Sequence, residues 1–158
     1  MEFGYDSPMS SDLLPVDSSL MFKLIRVVNL VARPFHESIG KQNQLSISEW
    51  RAMMVLASHP GSSASEVADW TGLDKMSVSR AIAGLHKRDR ILKKDDPDDQ
   101  RKSLLFLSAK GERLFERIGA QARQREEELF SGANRQELER FDATLEKLVA
   151  ALGRLEAK

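Results

Sequence analysis

The sequence predicts a mainly α-helical chain with one small β-hairpin. Three observations predict it. Between Leu20 and Leu155, apolar residues recur at three- and four-residue spacing, the period of a one-sided helix. Two short apolar runs, "RILKK" and "SLLFLS", stand either side of the turn-forming tip "DDPDDQ", which reads as two strands and their loop. Finally, Ser46 with Glu49 and Ser63 with Glu66 have the spacing of capping boxes that open helices.

Composition narrows the function classes. The 158 residues are 41% hydrophobic and 30% charged, an ordinary globular profile. No run of about 18 apolar residues occurs, so no transmembrane helix is expected. The start, "MEFGYDSPMSSDLLPVDSS", is acidic and lacks a basic, apolar leader, and a cytoplasmic location is expected. The absence of cysteine excludes disulfides, thiolate metal sites and thiol redox sensing. His36, His59 and His86 lie on separate segments without an HxxxH pair, so no metal or cofactor is expected. No Ser-His-Asp set or Gly-rich phosphate loop is visible, and the chain is not expected to be an enzyme.

The elements follow in order. Residues 1–17 hold Gly4, Pro8 and Pro15 among Ser and Asp and read as a flexible acidic arm. Leu20, Leu24, Val27, Val28, Val31, Phe35 and Ile39 line one helical face, which Pro34 should kink or split near Arg33. "LSISEWRAMMVLAS" forms the next helix, ended by Pro60 and Gly61, with Leu45 placed to staple onto Trp50. "ASEVADWT" is a short helix stopped by Gly72. Asp74 caps "KMSVSRAIAGLHKR", whose buried stripe is Val78, Ile82 and Leu85. After the hairpin, Ser108 caps a long helix with Leu114, Ile118, Ala122 and Leu129 on one face, broken at Gly132 and Asn134. The last helix carries Leu138, Phe141, Leu145, Leu148, Leu152 and Leu155 at heptad spacing, a seam for a partner helix. Residues 18–44 and 109–158 therefore read as a helical dimerisation region, with Leu20 and Leu24 contributing from the first helix. Residues 45–108 read as a separate lobe.

Within that lobe, Ala68, Gly72 and Val78 fall at relative positions 0, +4 and +10. A helix-turn-helix needs a small residue at the crossing, a glycine to turn the chain and an apolar lock on the second helix. With Val78, Ile82 and Leu85 inward, the second helix turns out Lys75, Met76, Ser77, Ser79, Arg80 and Lys87, with no carboxylate among them. Such a face suits a major groove. Arg80 is the candidate for a base edge; Ser77 and Ser79 suit bases or phosphates; Lys75, Lys87, Lys93 and Lys94 suit phosphates. Residues 74–94 carry seven bases against Asp74 and Asp89, a local basic footprint inside a chain of zero net charge.

The hairpin then reads as a wing. Asp99 stands two residues from Arg101, close enough to hold that guanidinium for an adjacent minor groove. Here the chain resembles the MarR family of winged helix-turn-helix regulators, named for multiple antibiotic resistance, over roughly Leu20 to Leu155. The resemblance rests on "DDPDDQRKSLLFLSAKGERL", where Asp96, Pro97, Asp99, Arg101, Leu107, Ser108 and Gly111 match the wing signature, and on "LHKRDRI" just before it. Asp89 stands where the family usually has glycine. The resemblance implies a winged-helix homodimer with intertwined first and last helices. It also implies a pseudo-palindromic double-stranded operator with half-sites ~10 base pairs apart, and usually repression relieved by a small aromatic or anionic effector. Arg33, His36, Trp50 and Met54 are the candidate effector-binding residues, as a cation and an aromatic ring beside the Pro34 kink. The competing expectation is a winged-helix protein-interaction module without specific DNA binding, which zero net charge would suit.

Overall fold

The computed structural model describes residues 16–99 and 101–156, the side chains of 154–156 excepted. The expected flexible arm therefore lies almost wholly outside the described residues. The chain divides into two compact units, one ending at Gly111 and the other starting at Glu112. The first holds residues 16–44 together with the lobe.

Helix α1, Leu20–Pro34, is capped by the Ser19 hydroxyl, which accepts from the Phe22 N–H. It buries none of its residues. Met21, Ile25, Val27, Val28 and Val31 are all more than half exposed. The helix does not split near Arg33: it runs to Pro34, and Phe35–Ile39 form a π-helical turn. Proline has no N–H to give the preceding turn and its ring presses on that turn's carbonyl. The π-helical turn begins just after it. Phe35 and Ile39 are buried there. Helix α2, Gly40–Asn43, is a single turn closed by Gln44 at φ 47°. A Cβ on Gly40 would lie 2.7 Å from the Leu45 carbonyl oxygen, so a side chain has no room at this joint.

The lobe is three helices and a hairpin. Helix α3, Ile47–Ser58, and helix α4, Ala64–Thr71, each begin with the expected reciprocal capping box. Helix α5, Lys75–Lys87, begins at Asp74, whose carboxylate accepts from the Ser77 N–H. Strands β1, Ile91–Asp95, and β2, Ser103–Leu107, pair antiparallel from Ile91 opposite Leu107 to Asp95 opposite Ser103. A single bridge from Ser62 to Leu105 pairs a third segment with β2 and fastens the hairpin to the lobe. The core sits between these elements. Met53, Leu56, Val67, Val78, Leu85 and Leu105 are all essentially inaccessible, each worth about 1.5–3 kcal/mol in burial. Beyond the core, the His59 and Trp70 rings stack 4.3 Å apart, with Trp70 62% exposed.

Helix α6, Ala109–Phe130, belongs to the second unit from Glu112 on; it has Leu114 and Ile118 buried, while Leu129 at its far end is exposed. Helix α7, Arg135–Glu156, starts on a reciprocal pair. The Asn134 N–H donates to Glu137 Oε2 at 2.8 Å, and the Glu137 N–H donates to Asn134 Oδ1 at 3.0 Å. Asn134 thus opens α7 as its cap as well as following the end of α6. Along the seam, Leu138 is half-buried, whereas Phe141, Leu145, Leu148 and Leu152 are exposed; the Leu155 side chain is outside the described residues. Among the described residues, no helix is long and apolar enough to cross a membrane.

Candidate nucleic-acid interface

The turn between α4 and α5 is built as its spacing requires. Gly72 adopts φ 65° and its N–H donates to the Ala68 carbonyl at 2.9 Å. A left-handed residue here ends α4 and swings the chain into α5. Val78 then locks α5 inward, 1% exposed.

The outward face of α5 carries Lys75, Met76, Ser79, Arg80, Ala83 and Lys87, all exposed. The nearest carboxylate, Asp74, is turned to structural use. It accepts from the Ser77 hydroxyl at 2.6 Å and from the Ser77 N–H at 2.8 Å. These bonds, the hydroxyl's first, hold its pKa below the usual carboxylate value. The Ser77 oxygen in turn accepts from Arg80 Nη2 at 3.3 Å. Asp74, Ser77 and Arg80 thus form a chain that steadies the guanidinium, and the half-buried Ser77 has its hydroxyl committed to that chain.

A cleft of about 260 Å³ opens beside Arg80, lined also by Ser46, Ser48, Glu49 and Arg88. Glu49 is 6% exposed yet fully partnered. Its Oε2 accepts from the Ser46 N–H at 2.6 Å and its Oε1 from Arg88 Nη1 at 3.3 Å. The carboxylate rests against Gly84, where any Cβ would collide with Oε1. Arg88 also donates to the Gly84 carbonyl at 3.2 Å. This latch fixes the start of α3 to the last turns of α5. The Ser46–Glu49 spacing shows the cap alone; Arg88 lies 39 residues away, beyond any local pattern.

In the wing, the aspartates serve the loop's own backbone. The Asp98 N–H donates to Asp96 Oδ1 at 2.9 Å and the Arg101 N–H to Asp99 Oδ1 at 3.0 Å, as aspartates do in turns. Asp99 was expected to hold the Arg101 guanidinium. It holds the Arg101 amide instead and pairs loosely with Lys102 at 3.9 Å, because a backbone N–H two residues on lies within reach at no cost in side-chain freedom. Arg101 is exposed. At the hairpin's edge, the Lys94 ammonium lies 4.8 Å over the Phe106 ring.

The join from α5 to the wing passes through Asp89, at φ 57°. The Asp89 N–H donates to the His86 carbonyl at 3.0 Å and the Arg90 N–H to the Leu85 carbonyl at 2.9 Å. This is the pattern that normally places glycine at such a helix end. Ser108 supports the join: its hydroxyl donates to the Asp89 carbonyl at 2.6 Å and accepts from the Gly111 N–H at 3.1 Å.

The four candidate effector residues lie on two stretches, Arg33 and His36 around Pro34, and Trp50 and Met54 on α3. Arg33 and His36 are exposed on either side of Pro34. Phe35 lies between the other rings, 6.4 Å from His36 and 6.3 Å from Trp50. Trp50 is 7% exposed and belongs to the core, while Met54, one turn on, is 48% exposed.

Comparison with known proteins agrees with this geometry. A family model described as MarR family matches residues 43–102. No curated protein matches the sequence significantly. Among solved structures, a MarR/EmrR family transcriptional regulator from an Acinetobacter species superposes with a TM-score of 0.81 at 23% identity, covering 89% of this chain and 99% of the other. A probable transcriptional regulator from Pseudomonas aeruginosa gives 0.72 at 27% identity, covering 84% and 98%. CouR from Rhodococcus jostii, solved bound to p-coumaroyl-CoA, gives 0.75 at 20%, covering 85% and 94%. Over residues 43–102 the chain is thus similar to the MarR family, and its fold is that of winged helix-turn-helix transcriptional regulators of that family.

Proposed function

We propose that the protein is a cytoplasmic, homodimeric regulator that binds a pseudo-palindromic double-stranded operator as a repressor and releases it on taking up a small aromatic or anionic ligand. The outward face of α5 carries this reading. It exposes Lys75, Met76, Ser79, Arg80 and Lys87, and its one flanking carboxylate, Asp74, is held by Ser77. Arg80 then reads a base edge, the lysines meet phosphates, and Arg101 reaches a minor groove from a loop that Asp99 keeps folded. The exposed apolar faces of α1 and of α7, each taken separately, support a second copy as partner. The ligand class is supported by the p-coumaroyl-CoA carried by CouR, and the ring cluster of Phe35, His36 and Trp50 beside Arg33, with Met54 one turn on, is its proposed seat.

The test is fluorescence anisotropy on an inverted repeat selected from genomic fragments, at two salt concentrations. Arg80→Ala should cost about 1–3 kcal/mol on that site and relax its specificity. Lys87→Ala should weaken all sequences alike and lower the salt slope by ~1. Equal binding to the selected and to random DNA would sink the operator reading and favour a winged fold used for protein contacts.

A further inference from the structure

We infer that Arg90 is a positioning residue that ties the end of α2 to the root of the wing, so that displacement at residues 43–44 is felt by both wing strands. Arg90 is only 8% exposed. Its guanidinium spans the chain reversal after α2: Nη1 donates to the Gln44 carbonyl at 2.9 Å and Nη2 to the Asn43 carbonyl. A cation on the last carbonyls of a helix is favourably placed. The planar fork reaches two successive carbonyls at once, which fixes an orientation as well as a distance.

The backbone of the same residue is clamped at the wing. Its N–H donates to the Leu85 carbonyl at 2.9 Å, and its carbonyl accepts from the Ser108 N–H at 3.0 Å. Gly111 packs directly on that carbonyl, with no space for a Cβ. Strand β1 starts one residue later, at Ile91, and β2 ends at Leu107, one residue before Ser108. Arg90 is therefore rigid at its backbone with respect to both strands, and rigid at its side chain with respect to the end of α2. The α2 side of the link is equally constrained. Gln44 sits at φ 47°, the Leu45 N–H donates to the Gly40 carbonyl at 2.9 Å, and Gly40 has no room for a side chain. No compliant segment separates the π-helical turn from the wing on this route. The consequence for DNA rests on the operator reading given above; the mechanical link does not.

Hydrogen exchange on the full chain without DNA tests the link. Arg90→Met keeps the buried stem and leaves two carbonyls without their donor. It should speed exchange roughly tenfold or more in residues 40–46 and in 91–107 together, while the core amides of α5 keep their protection. Arg90→Lys, which keeps the charge but offers no fork, should fall between. Uniform acceleration across the chain, or acceleration confined to 40–46, would overturn the inference. On DNA, the Arg90→Met loss should vanish in an Arg101→Ala background and persist in full in an Arg80→Ala background; the reverse pattern would also overturn it. Failure of the unaltered protein to bind any DNA selectively would remove the operator reading and leave the exchange result to decide the link.

Discussion

Helices α5 and α1 are both amphipathic, yet α5 buries Val78, Ala81, Ile82 and Leu85 while α1 buries nothing. The same contrast separates the lobe, whose apolar residues meet one another, from the seam of α7, where Phe141, Leu145, Leu148 and Leu152 remain exposed. An apolar stripe says that a face must be covered. It does not say whether the cover comes from the same chain. In the lobe the cover is intramolecular, so its stability is its own. Along α1 and α7 the stripes are uncovered in the single chain; on the dimer reading proposed above, their contribution should depend on concentration.

Substitutions can break or sharpen that contrast. Leu85→Ala, at a fully buried position, should cost about 2–5 kcal/mol in chemical denaturation. The joins come next. Asp89→Gly, at φ 57°, removes the penalty of a side chain in a left-handed conformation and should stabilise the lobe by about 1 kcal/mol or less; a raised denaturation midpoint with an unchanged slope would show it. Ile25→Asp, on the exposed face of α1, should alter the denaturation of a dilute, single-chain sample by no more than about 0.5 kcal/mol. It should nevertheless move the sedimentation coefficient at high concentration to that of one chain. A loss as large as that of Leu85→Ala would mean that α1 is covered from within, and the contrast would fail.

The smallest effect is set by acid. Glu66 is held below the usual carboxylate range first by the Ser63 N–H and then by its hydroxyl, and Asp74 by the Ser77 hydroxyl and N–H. Folding lowers both pKa values, so the unfolded chain binds the proton more readily. The two caps add stability above the unfolded-state value and lose it as pH falls through the lower, folded one. Helicity of the lobe followed downward from pH 5 should decline less steeply in Ser77→Ala than in the unaltered protein. Equal slopes would remove Asp74 from this account.

What the sequence makes legible is what lies within a few residues. The capping boxes at Ser46 and Ser63, the turn at Gly72, the stripe of α5 and the two strands are all local, and all are found. Asn134 and Glu137 carry the same three-residue spacing as the boxes and mark a cap by the same rule. The latch of Glu49 on Arg88 and the clamp of Arg90 on Gln44 span 39 and 46 residues, and no periodicity records them. Partners so far apart in the sequence are set by tertiary geometry. The direction of Asp99 is local but degenerate: an amide and a guanidinium of one residue lie within its reach, and the amide wins because it is already fixed in space. The width of the turn after Pro34 is likewise settled by the packing of Phe35 and Ile39, which proline alone does not dictate.

The wing's aspartates have a consequence in polyelectrolyte terms. Between Lys93 and Lys102 the hairpin carries four acids and four bases, a formal charge of zero. A neutral element displaces few condensed ions when it meets a polyanion. The ionic-strength dependence of any encounter with DNA should therefore reside in α5. On the operator reading proposed above, the wing would act only at short range, once the molecule has been brought close, and Arg101 would add discrimination there without lengthening the time spent on the wrong sequence.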